Sequence, residues 1–193
     1  MTHPGAPIGI LLAAGFSRRF GAADKLLQPL ADGRPMALAA AYNLVQALPL
    51  SIAVVQPDNA QLARLLQEAG LEVISCASGG MSDSLSAAVR DCDRFSSVSG
   101  YVIALADMPS IRPQTITAVA GGLHHAPICA PVFEGKRGHP VAFSATLRDE
   151  LLALQGDEGA RSILQRHKLE VRLLDCDDPG VLADIDTPAD LGR

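Results

Sequence analysis

The sequence predicts an α/β protein whose mostly parallel sheet lies between two layers of helices. Short apolar runs without polar alternation, which are typical of strands buried on both faces, recur along the chain. They alternate with segments whose apolar residues have helical spacing, and the connections are short. Strands joined through helices run parallel, because each helix carries the chain back to the edge where the previous strand began. One domain, residues 1–193, is sufficient for a chain of 193 residues.

Each predicted element follows from its local pattern. Glycine and proline in residues 31–35 predict a turn, and residues 26–30 before it are expected to be extended. Residues 121–125 are expected to form a loop, and the apolar runs around residues 134–140 predict a hairpin-like excursion. We therefore expect a single-domain, Rossmann-like three-layer α/β/α fold. The predicted strands are residues 8–14, 51–55, 71–74, 101–106, 128–133, 141–143 and 170–174, and the predicted helices are residues 36–48, 59–69, 147–154 and 162–167, with two more through residues 86–89 and from Gln114.

Composition excludes several classes of protein. Apolar residues make up 48% of the chain, whereas aromatic residues make up 4% and tryptophan is absent, so aliphatic side chains must fill the core. The net charge of −5 argues against a protein that coats nucleic acid. No apolar run is long enough to span a membrane and the start lacks the features of a signal peptide, so no membrane association is expected. The four cysteines are widely separated without a C-x-x-C pair, which indicates reduced thiols in a cytoplasmic protein.

The loop after the first predicted strand has the features of a phosphate site. Small residues from Ala13 to Gly15 let a ligand approach the backbone, where successive amides can form an anion-holding concavity. Arg18, Arg19 and Lys25 add positive charge just beyond it, at the carboxyl edge of the sheet. The spacing fits neither a Walker loop nor the dinucleotide motif G-x-G-x-x-G. An ordinary strand–loop with solvated arginines is the alternative.

A carboxylate follows the most strand-like run of the chain. Asp107 comes directly after residues 101–106, where a central strand opens to ligand. An unpaired carboxylate there would be costly unless it bound a cation or hydrogen-bond donors. Mg²⁺ suits the position, since it prefers oxygen ligands and is usually held by one or two carboxylates plus substrate phosphates. The alternative is a turn-forming aspartate ahead of the helix at Gln114.

Four further stretches have both a structural and a functional interpretation. Residues 79–85 are a capped helix start or a ligand loop, and the charged turn of residues 134–140 serves solubility or a second anionic ligand. Asp157 is expected to cap the helix of residues 162–167, with Arg161 either solvated or bound to an anion. Residues 184–186 would present two carboxylates on one face if extended, unless residues 187–190 simply begin a helix.

Taken together, these motifs resemble the MobA-like nucleotidyltransferase family from Ile10 to Leu191. The resemblance rests on L-A-A-G-x-S-x-R-x-G with a following lysine, a serine-rich G-x-S-x-S-L-like element, L-A-D-M-P, R-G-H-P, G-D-x-G-A-R and D-I-D-T-P-x-D-L, in the family's order. One departure is Phe20, where the family usually has methionine. Each element by itself is weak, but the ordered set is specific.

The resemblance implies roles for individual residues. Asp107, Arg19 and Lys25 would be catalytic, and Mg²⁺ would be the cofactor. Of the two carboxylates near the carboxyl end, Asp184 is preferred over Asp186 as the second metal ligand. Three sets follow: nucleotide-binding Leu12, Ala13, Ala14, Gly15, Arg19, Lys25, Gly80, Ser82 and Ser84; acceptor-binding Arg137, Gly138, His139 and Arg161; metal-binding Asp107, Asp184 and Asp186.

The implied reaction is attack by an acceptor phosphate on the α-phosphorus of a nucleoside triphosphate, with release of pyrophosphate. The pattern is most similar to molybdenum cofactor cytidylyltransferases, because Ala14 stands where guanylyltransferase relatives carry a second glycine. This favours CTP and a molybdopterin-type acceptor, with a molybdenum enzyme as a candidate partner. The alternatives are GTP, a sugar-phosphate acceptor, a non-catalytic protein that delivers the cofactor, and an oxidoreductase, against which the missing G-x-G-x-x-G weighs.

Overall fold

A computed structural model of the protein describes residues 5–15, 24–77 and 80–192. Within these ranges strands and helices alternate as far as residue 121, as predicted, and three consecutive strands, two consecutive helices and a last strand follow. The strands are β1 (Pro7–Ala13), β2 (Ser51–Val55), β3 (Glu72–Ser75), β4 (Gly100–Leu105), β5 (Ile128–Phe133), β6 (Lys136–Arg137), β7 (Val141–Ser144) and β8 (Val171–Asp175). The helices are α1 (Met36–Ala47), α2 (Ala60–Glu68), α3 (Met81–Asp91), α4 (Pro113–Gly121), α5 (Arg148–Leu152) and α6 (Arg161–Arg166).

The strands of the described ranges form one mixed sheet. Its order is β3-β2-β1-β4-β7-β5-β6, and β8 pairs with the opposite side of β5. Strands β1 to β4 are parallel, β8 is parallel to β5, and β7 runs antiparallel between β4 and β5. The carboxyl ends of the parallel strands and the beginning of β7 therefore lie at one edge. The predicted, mostly parallel α/β architecture is confirmed.

Helices cover both faces of this sheet. On β1, Ile8 and Ile10 pack into a core with α3, α5 and α6, whereas Leu11 and Ala13 pack into a second core with α1, α2 and α4. This alternation is the period of two expected for a strand buried on both sides. Both cores are mainly aliphatic, as the composition requires. The three-layer prediction is confirmed.

The stretch before the first turn differs from the prediction. Residues 26–30 were expected to be extended, but Lys25–Leu27 forms a turn of 3-10 helix. The reason is local capping, because an oxygen of Asp24 accepts a hydrogen bond from the backbone N–H of Leu26 at 2.9 Å. The turn still buries Leu26 in the core.

The expected loop at residues 121–125 is also absent. Gly121 ends α4 and Gly122–His124 continues as 3-10 helix. Gly122 lies directly against Cys129 of β5, and a Cβ there would collide with the cysteine side chain. The glycine therefore serves close packing between helix and strand rather than a break in the chain.

Three further findings concern the cap of α6, membrane-spanning helices and the cysteines. The prediction that Asp157 caps this helix is wrong, because α6 begins at Arg161 and Ala160 occupies its N-cap position. In the described ranges we find no helix whose length and apolar content would let it span a membrane. All four cysteines are free thiols.

Candidate nucleotide- and metal-binding site

The end of β1, where the first predicted loop begins, and the predicted metal-binding carboxylate lie at one crevice. The strand order reverses between β1 and β4, and in open α/β sheets ligands bind outside the carboxyl ends of the strands at such a point. Ala14 and Gly15 follow β1 there, and Asp107 follows β4. The backbone N–H of Ala106 donates to the Leu12 carbonyl at 3.1 Å, which holds the two exits together. Gly15 is exposed, and among the described residues nothing lies where a Cβ on it would be.

Three polar side chains that the sequence analysis did not assign hold this crevice in shape. Gln56, directly after β2, donates from Nε2 to the Ala14 carbonyl at 2.8 Å. Asn59 donates to the Asp24 carboxylate at 2.5 Å and caps α2 by accepting from the Leu62 N–H at 3.1 Å. Both Asp24 oxygens are thus engaged, one by Asn59 and one by the 3-10 turn. The sequence signal that could have identified Asn59 was its position at the start of a predicted helix, where asparagine is a preferred N-cap residue.

The centre of the site is an ammonium group between two carboxylates. The Nζ atom of Lys25 lies 2.9 Å from Asp107 Oδ2 and 3.0 Å from Asp186 Oδ1. The lysine side chain is 9% exposed, whereas Asp107 and Asp186 are 28% and 44% exposed, so the carboxylates face outward over a buried cation. Burial alone lowers the pKa of Lys25, but the hydrogen bonds and charges of the two carboxylates outweigh it and raise the pKa above its ordinary value. Lys25 is therefore protonated at neutral pH.

The acidic carboxyl-terminal segment reaches Lys25 through Asp186. Residues 183–186 form no strand, but Ile185 is buried and its backbone N–H donates to the Asp107 carbonyl at 3.0 Å. On either side of it, Asp184 is exposed and Asp186 turns to Lys25. The structure therefore brings Asp107 and Asp186 together, and Asp184 stands outside this ion-pair cluster. This differs from the preference for Asp184 in the sequence analysis.

The donor set of the cluster fits a hard divalent cation. Carboxylate oxygens are the protein ligands that Mg²⁺ prefers, and one or two of them are sufficient when substrate phosphates complete the coordination. Across the described ranges no three His, Cys, Asp or Glu side chains come together to hold a metal ion by themselves. Asp107 and Asp186 fit a metal that is shared with a phosphate ligand.

The predicted acceptor residues of the R-G-H-P element lie at the same edge of the sheet. Arg137 is exposed on β6, and Gly138 packs so tightly against the Val181 carbonyl that a Cβ would collide with it. The His139 backbone N–H donates to that same carbonyl at 2.9 Å. Its Nδ1 atom is buried without a hydrogen-bond partner among the described residues. Burial lowers the pKa of His139, against the opposing charges of Asp107 and Asp184, so the imidazole is neutral at pH 7.

The serine-rich element forms the start of α3, and its serines are buried. Gly80 is the N-cap, and Asp83 lies in the first turn rather than at the cap. Ser82 and Ser84 are buried, with the Ser84 hydroxyl donating to the Gly80 carbonyl at 3.3 Å. The Ser82 hydroxyl is fully buried without a partner in the described part of the chain. Their contact with a nucleotide stays a prediction.

The loop that precedes α6 packs against this helix start. The Gly156 carbonyl accepts from the Ser82 N–H at 3.2 Å, and Asp157 lies where a Cβ on Gly80 would have to be. Arg161 follows as the exposed first residue of α6. The structure thus sets a predicted acceptor element beside a predicted nucleotide element. Arg19, the remaining catalytic prediction, lies outside the described residues.

Comparison with known proteins identifies the family. A model of the MobA-like NTP transferase domain matches residues 9–171, which is most of the chain. The match begins in β1 and ends at the start of β8. The protein belongs to the MobA-like NTP transferase family, which confirms the resemblance found in the sequence.

Individual relatives are similar over almost their whole length. Purine catabolism protein PucB of Bacillus subtilis (strain 168) is 32% identical, with 94% of this chain and 92% of that protein covered. Nicotine blue oxidoreductase of Paenarthrobacter nicotinovorans is 28% identical, with 96% of this chain and 94% of that protein covered. A crystal structure of Rv0371c from Mycobacterium tuberculosis H37Rv in complex with manganese has a TM-score of 0.79 and 25% identity, with 96% and 95% of the two chains covered.

Proposed function

We propose that this protein is a divalent-metal-dependent nucleotidyltransferase that transfers CMP from CTP to the phosphate of a molybdopterin-type cofactor and releases pyrophosphate. The observation that carries the proposal is the Lys25 ammonium held between Asp107 and Asp186 at the crevice between β1 and β4. We take residues 1–193 as one nucleotidyltransferase domain acting in the cytoplasm, with a molybdenum enzyme as the recipient of its product.

Asp107 and Asp186 are the proposed metal ligands, with Asp184 as an exposed neighbour. When bound, Mg²⁺ would neutralise charge that develops on the phosphates during transfer. The manganese complex of the structurally similar Rv0371c supports a divalent metal in this family. An ammonium and a divalent cation compete for the same carboxylate oxygens, so metal loading would free Lys25 to contact a phosphate of the nucleotide.

The remaining residues bind and orient two negatively charged reactants. Positioning and charge neutralisation would supply most of the rate enhancement, and no protein nucleophile is required. Lys25 and Arg19 would stabilise the departing pyrophosphate, while the backbone of residues 12–15 and the start of α3 hold the nucleotide. On the acceptor side, the proposal assigns Arg137, Gly138, His139 and Arg161. A neutral His139 can offer a hydrogen bond to the acceptor without adding charge.

The preference for CTP rests on Ala14. Its side chain packs into the core shared with α3, and its carbonyl accepts a hydrogen bond from Gln56, so the backbone of the proposed nucleotide-binding residues is fixed at this point. The resemblance carries the preference, because guanylyltransferase relatives have a second glycine where this chain has Ala14. The molybdopterin-type acceptor follows from the resemblance described above.

The decisive experiment measures pyrophosphate release with Mg²⁺ and molybdenum-loaded molybdopterin, comparing CTP, GTP and ATP side by side. Release with CTP alone supports the proposal, and release with GTP alone would overturn the nucleotide preference. If no nucleotide gives release, sugar phosphates are tested as acceptors, and a non-catalytic delivery role is then tested by direct binding of the cofactor. A reaction without Mg²⁺ and with EDTA is the matched control.

An oxidoreductase is the second candidate, because one relative at 28% identity is named as such. The absence of G-x-G-x-x-G after β1 weighs against a bound dinucleotide. The absorbance spectrum of the purified protein separates the two functions. Flavin or nicotinamide bands would favour the oxidoreductase, and a spectrum without them would favour the transferase.

A further inference from the structure

A buried carboxylate lies away from the ion-pair cluster, in the segment that follows β8. Asp178 is 2% exposed, and both of its oxygens accept hydrogen bonds. Oδ2 accepts from the Arg112 backbone N–H at 2.9 Å and the Thr115 hydroxyl at 2.6 Å, and Oδ1 accepts from the Gly180 N–H at 3.0 Å. A buried carboxylate is tolerated only when it is paired or hydrogen-bonded, and these three bonds satisfy it.

Two of these bonds hold Asp178 against the start of α4. Arg112 occupies the N-cap position of α4, and within the described ranges its side chain makes no capping bond. Asp178 accepts from the Arg112 backbone N–H and from the Thr115 hydroxyl, and its negative charge is favourable at the positive end of the helix. The Arg112 guanidinium donates in turn to the Asp177 carbonyl at 2.5 Å. The segment after β8 is therefore fastened to the start of α4.

From Asp178 the chain runs across the loop that follows β4 and ends at the ion-pair cluster. Gly180 lies against the Ser110 carbonyl so closely that a Cβ would collide with it. Val181 then accepts the hydrogen bond from His139, and the Ile185 N–H donates to the Asp107 carbonyl at 3.0 Å. Asp178 thus stands at one end of a segment whose other end carries Asp186. The segment contains one short 3-10 turn, Pro179–Leu182, so side-chain anchoring must compensate for the scarcity of regular structure.

We infer that Asp178 is a positioning residue for the metal-binding carboxylates. It fixes residues 178–186 on the start of α4, so that Asp186 stays beside Asp107 and Val181 stays on His139. The function of the anchor in metal binding rests on the proposed function, whereas its effect on the position of the segment does not. Asp178 touches neither metal nor substrate in this assignment.

Two variants remove the anchor in different ways. In Asp178→Asn the amide oxygen can still accept from Arg112 and Thr115, but the amide NH₂ then faces the Gly180 N–H, so two donors oppose each other. Thr115→Val deletes one hydrogen bond while keeping the shape of the side chain. Thr117→Val is the matched control, because Thr117 lies on the same helix and its hydroxyl donates to the Pro113 carbonyl within that helix.

The test measures amide hydrogen exchange at Ile185 by NMR and the affinity for Mn²⁺ by EPR in the presence of CTP. We expect Asp178→Asn and Thr115→Val to accelerate exchange at Ile185 about tenfold, because a buried donor loses its acceptor. We expect the affinity for Mn²⁺ to fall about tenfold, the lower end of the loss typical of residues that orient metal ligands. Amides of β2 should be unaffected, and Thr117→Val should change neither quantity.

Unchanged exchange at Ile185 in both variants would overturn the inference, as would an equal acceleration at all amides, which reports only a loss of global stability. Absence of Mn²⁺ binding by the unaltered protein would overturn the proposed metal site, while exchange at Ile185 still decides the positioning role. If Asp178→Asn fails to fold, Thr115→Val decides both quantities.

Discussion

At the scale of single residues, the positive charge of Lys25 partly balances the two carboxylates of the site. Its buried ammonium contacts Asp107 and Asp186, which lie 82 and 161 residues away in sequence. Burial by itself lowers the pKa of this ammonium, whereas the two carboxylates raise it and keep Lys25 charged. The same contact makes the lysine a competitor of any cation that the carboxylates bind.

Lys25→Met removes that competitor and predicts two opposite effects. Without nucleotide, Mn²⁺ should bind about tenfold more tightly, because the carboxylates no longer share their charge with an ammonium. CTP should bind about tenfold more weakly, because a charge-assisted hydrogen bond to phosphate is lost. EPR titration with Mn²⁺ and calorimetric titration with CTP measure the two effects. Lys168→Met, at an exposed lysine, should change neither, and weaker Mn²⁺ binding by Lys25→Met would contradict the competition.

At the scale of elements, His167 ties α5 to the turn between α6 and β8. Its Nε2 lies 2.8 Å from Glu150 Oε1, and its Nδ1 lies 2.8 Å from Glu170 Oε1. The hydrogen bonds with Glu170 and Glu150 raise the pKa of His167 above its ordinary value of 6.5. A protonated imidazole can donate to both carboxylates at once, whereas the neutral ring can donate to only one.

This arrangement predicts a pH-dependent stability. Because the pKa is raised in the folded state, the stabilisation is fully present below pH 6.5 and is lost as the pH rises through the folded pKa. In urea unfolding, the free energy of unfolding should therefore differ more between the unaltered protein and His167→Gln at pH 6 than at pH 9. His124 is exposed, so His124→Gln serves as the control. Its free energy of unfolding should differ little from that of the unaltered protein at either pH. An equal difference for His167→Gln at the two values would contradict the double pairing.

The close packing at the start of α3 leads to a second prediction at the scale of elements. A Cβ at Gly80 would collide with Asp157 and with the Gly156 carbonyl, so the helix start and the loop before α6 must separate. Gly80→Ala should lower the free energy of unfolding by about 1–3 kcal/mol, as overpacking does. Gly121→Ala is the control, since it meets open space at the end of α4 and should be neutral or stabilising. Thermal unfolding measures both, and an unchanged melting temperature for Gly80→Ala would contradict the close packing.

At the scale of the whole molecule, the site is assembled by the direction of the strands. The parallel strands bring Ala14, Asp107 and Gln56 to one edge, and the antiparallel β7 begins there with His139 just before it. The segment after β8 then crosses this edge and adds Asp186. Three separate parts of the chain therefore meet at Lys25.

This assembly predicts which acidic residue near the carboxyl end matters most. Asp186→Asn should lower Mg²⁺-dependent pyrophosphate release about 100-fold, because one ligand of the metal is lost. Asp184→Asn should lower it much less, because Asp184 is exposed outside the ion-pair cluster. Steady-state assays over a range of Mg²⁺ concentrations distinguish the two variants. A larger loss in Asp184→Asn would reverse the assignment.

Local patterns were sufficient for the elements of the fold. Buried apolar runs predicted β1, β2, β4 and β5 within about one residue of their ends, because strands covered on both faces need unbroken apolar sequence. The errors lie where a single side chain decides. Asp24 caps a 3-10 turn in an apparently extended stretch, and Gly122 packs on Cys129 where a loop was expected.

The sequence by itself determined the α/β class, the family and the residue types of the site, since apolar periodicity and short motifs are local properties of the chain. Only the tertiary structure decided that Asp186 rather than Asp184 contacts Lys25 together with Asp107. Ile185 is buried between the two aspartates, and its packing determines which of them faces Lys25. It also decided the anchor at Asp178, whose partners on α4 lie more than sixty residues away. Contacts across such distances arise from the order and direction of the strands, which no local pattern contains.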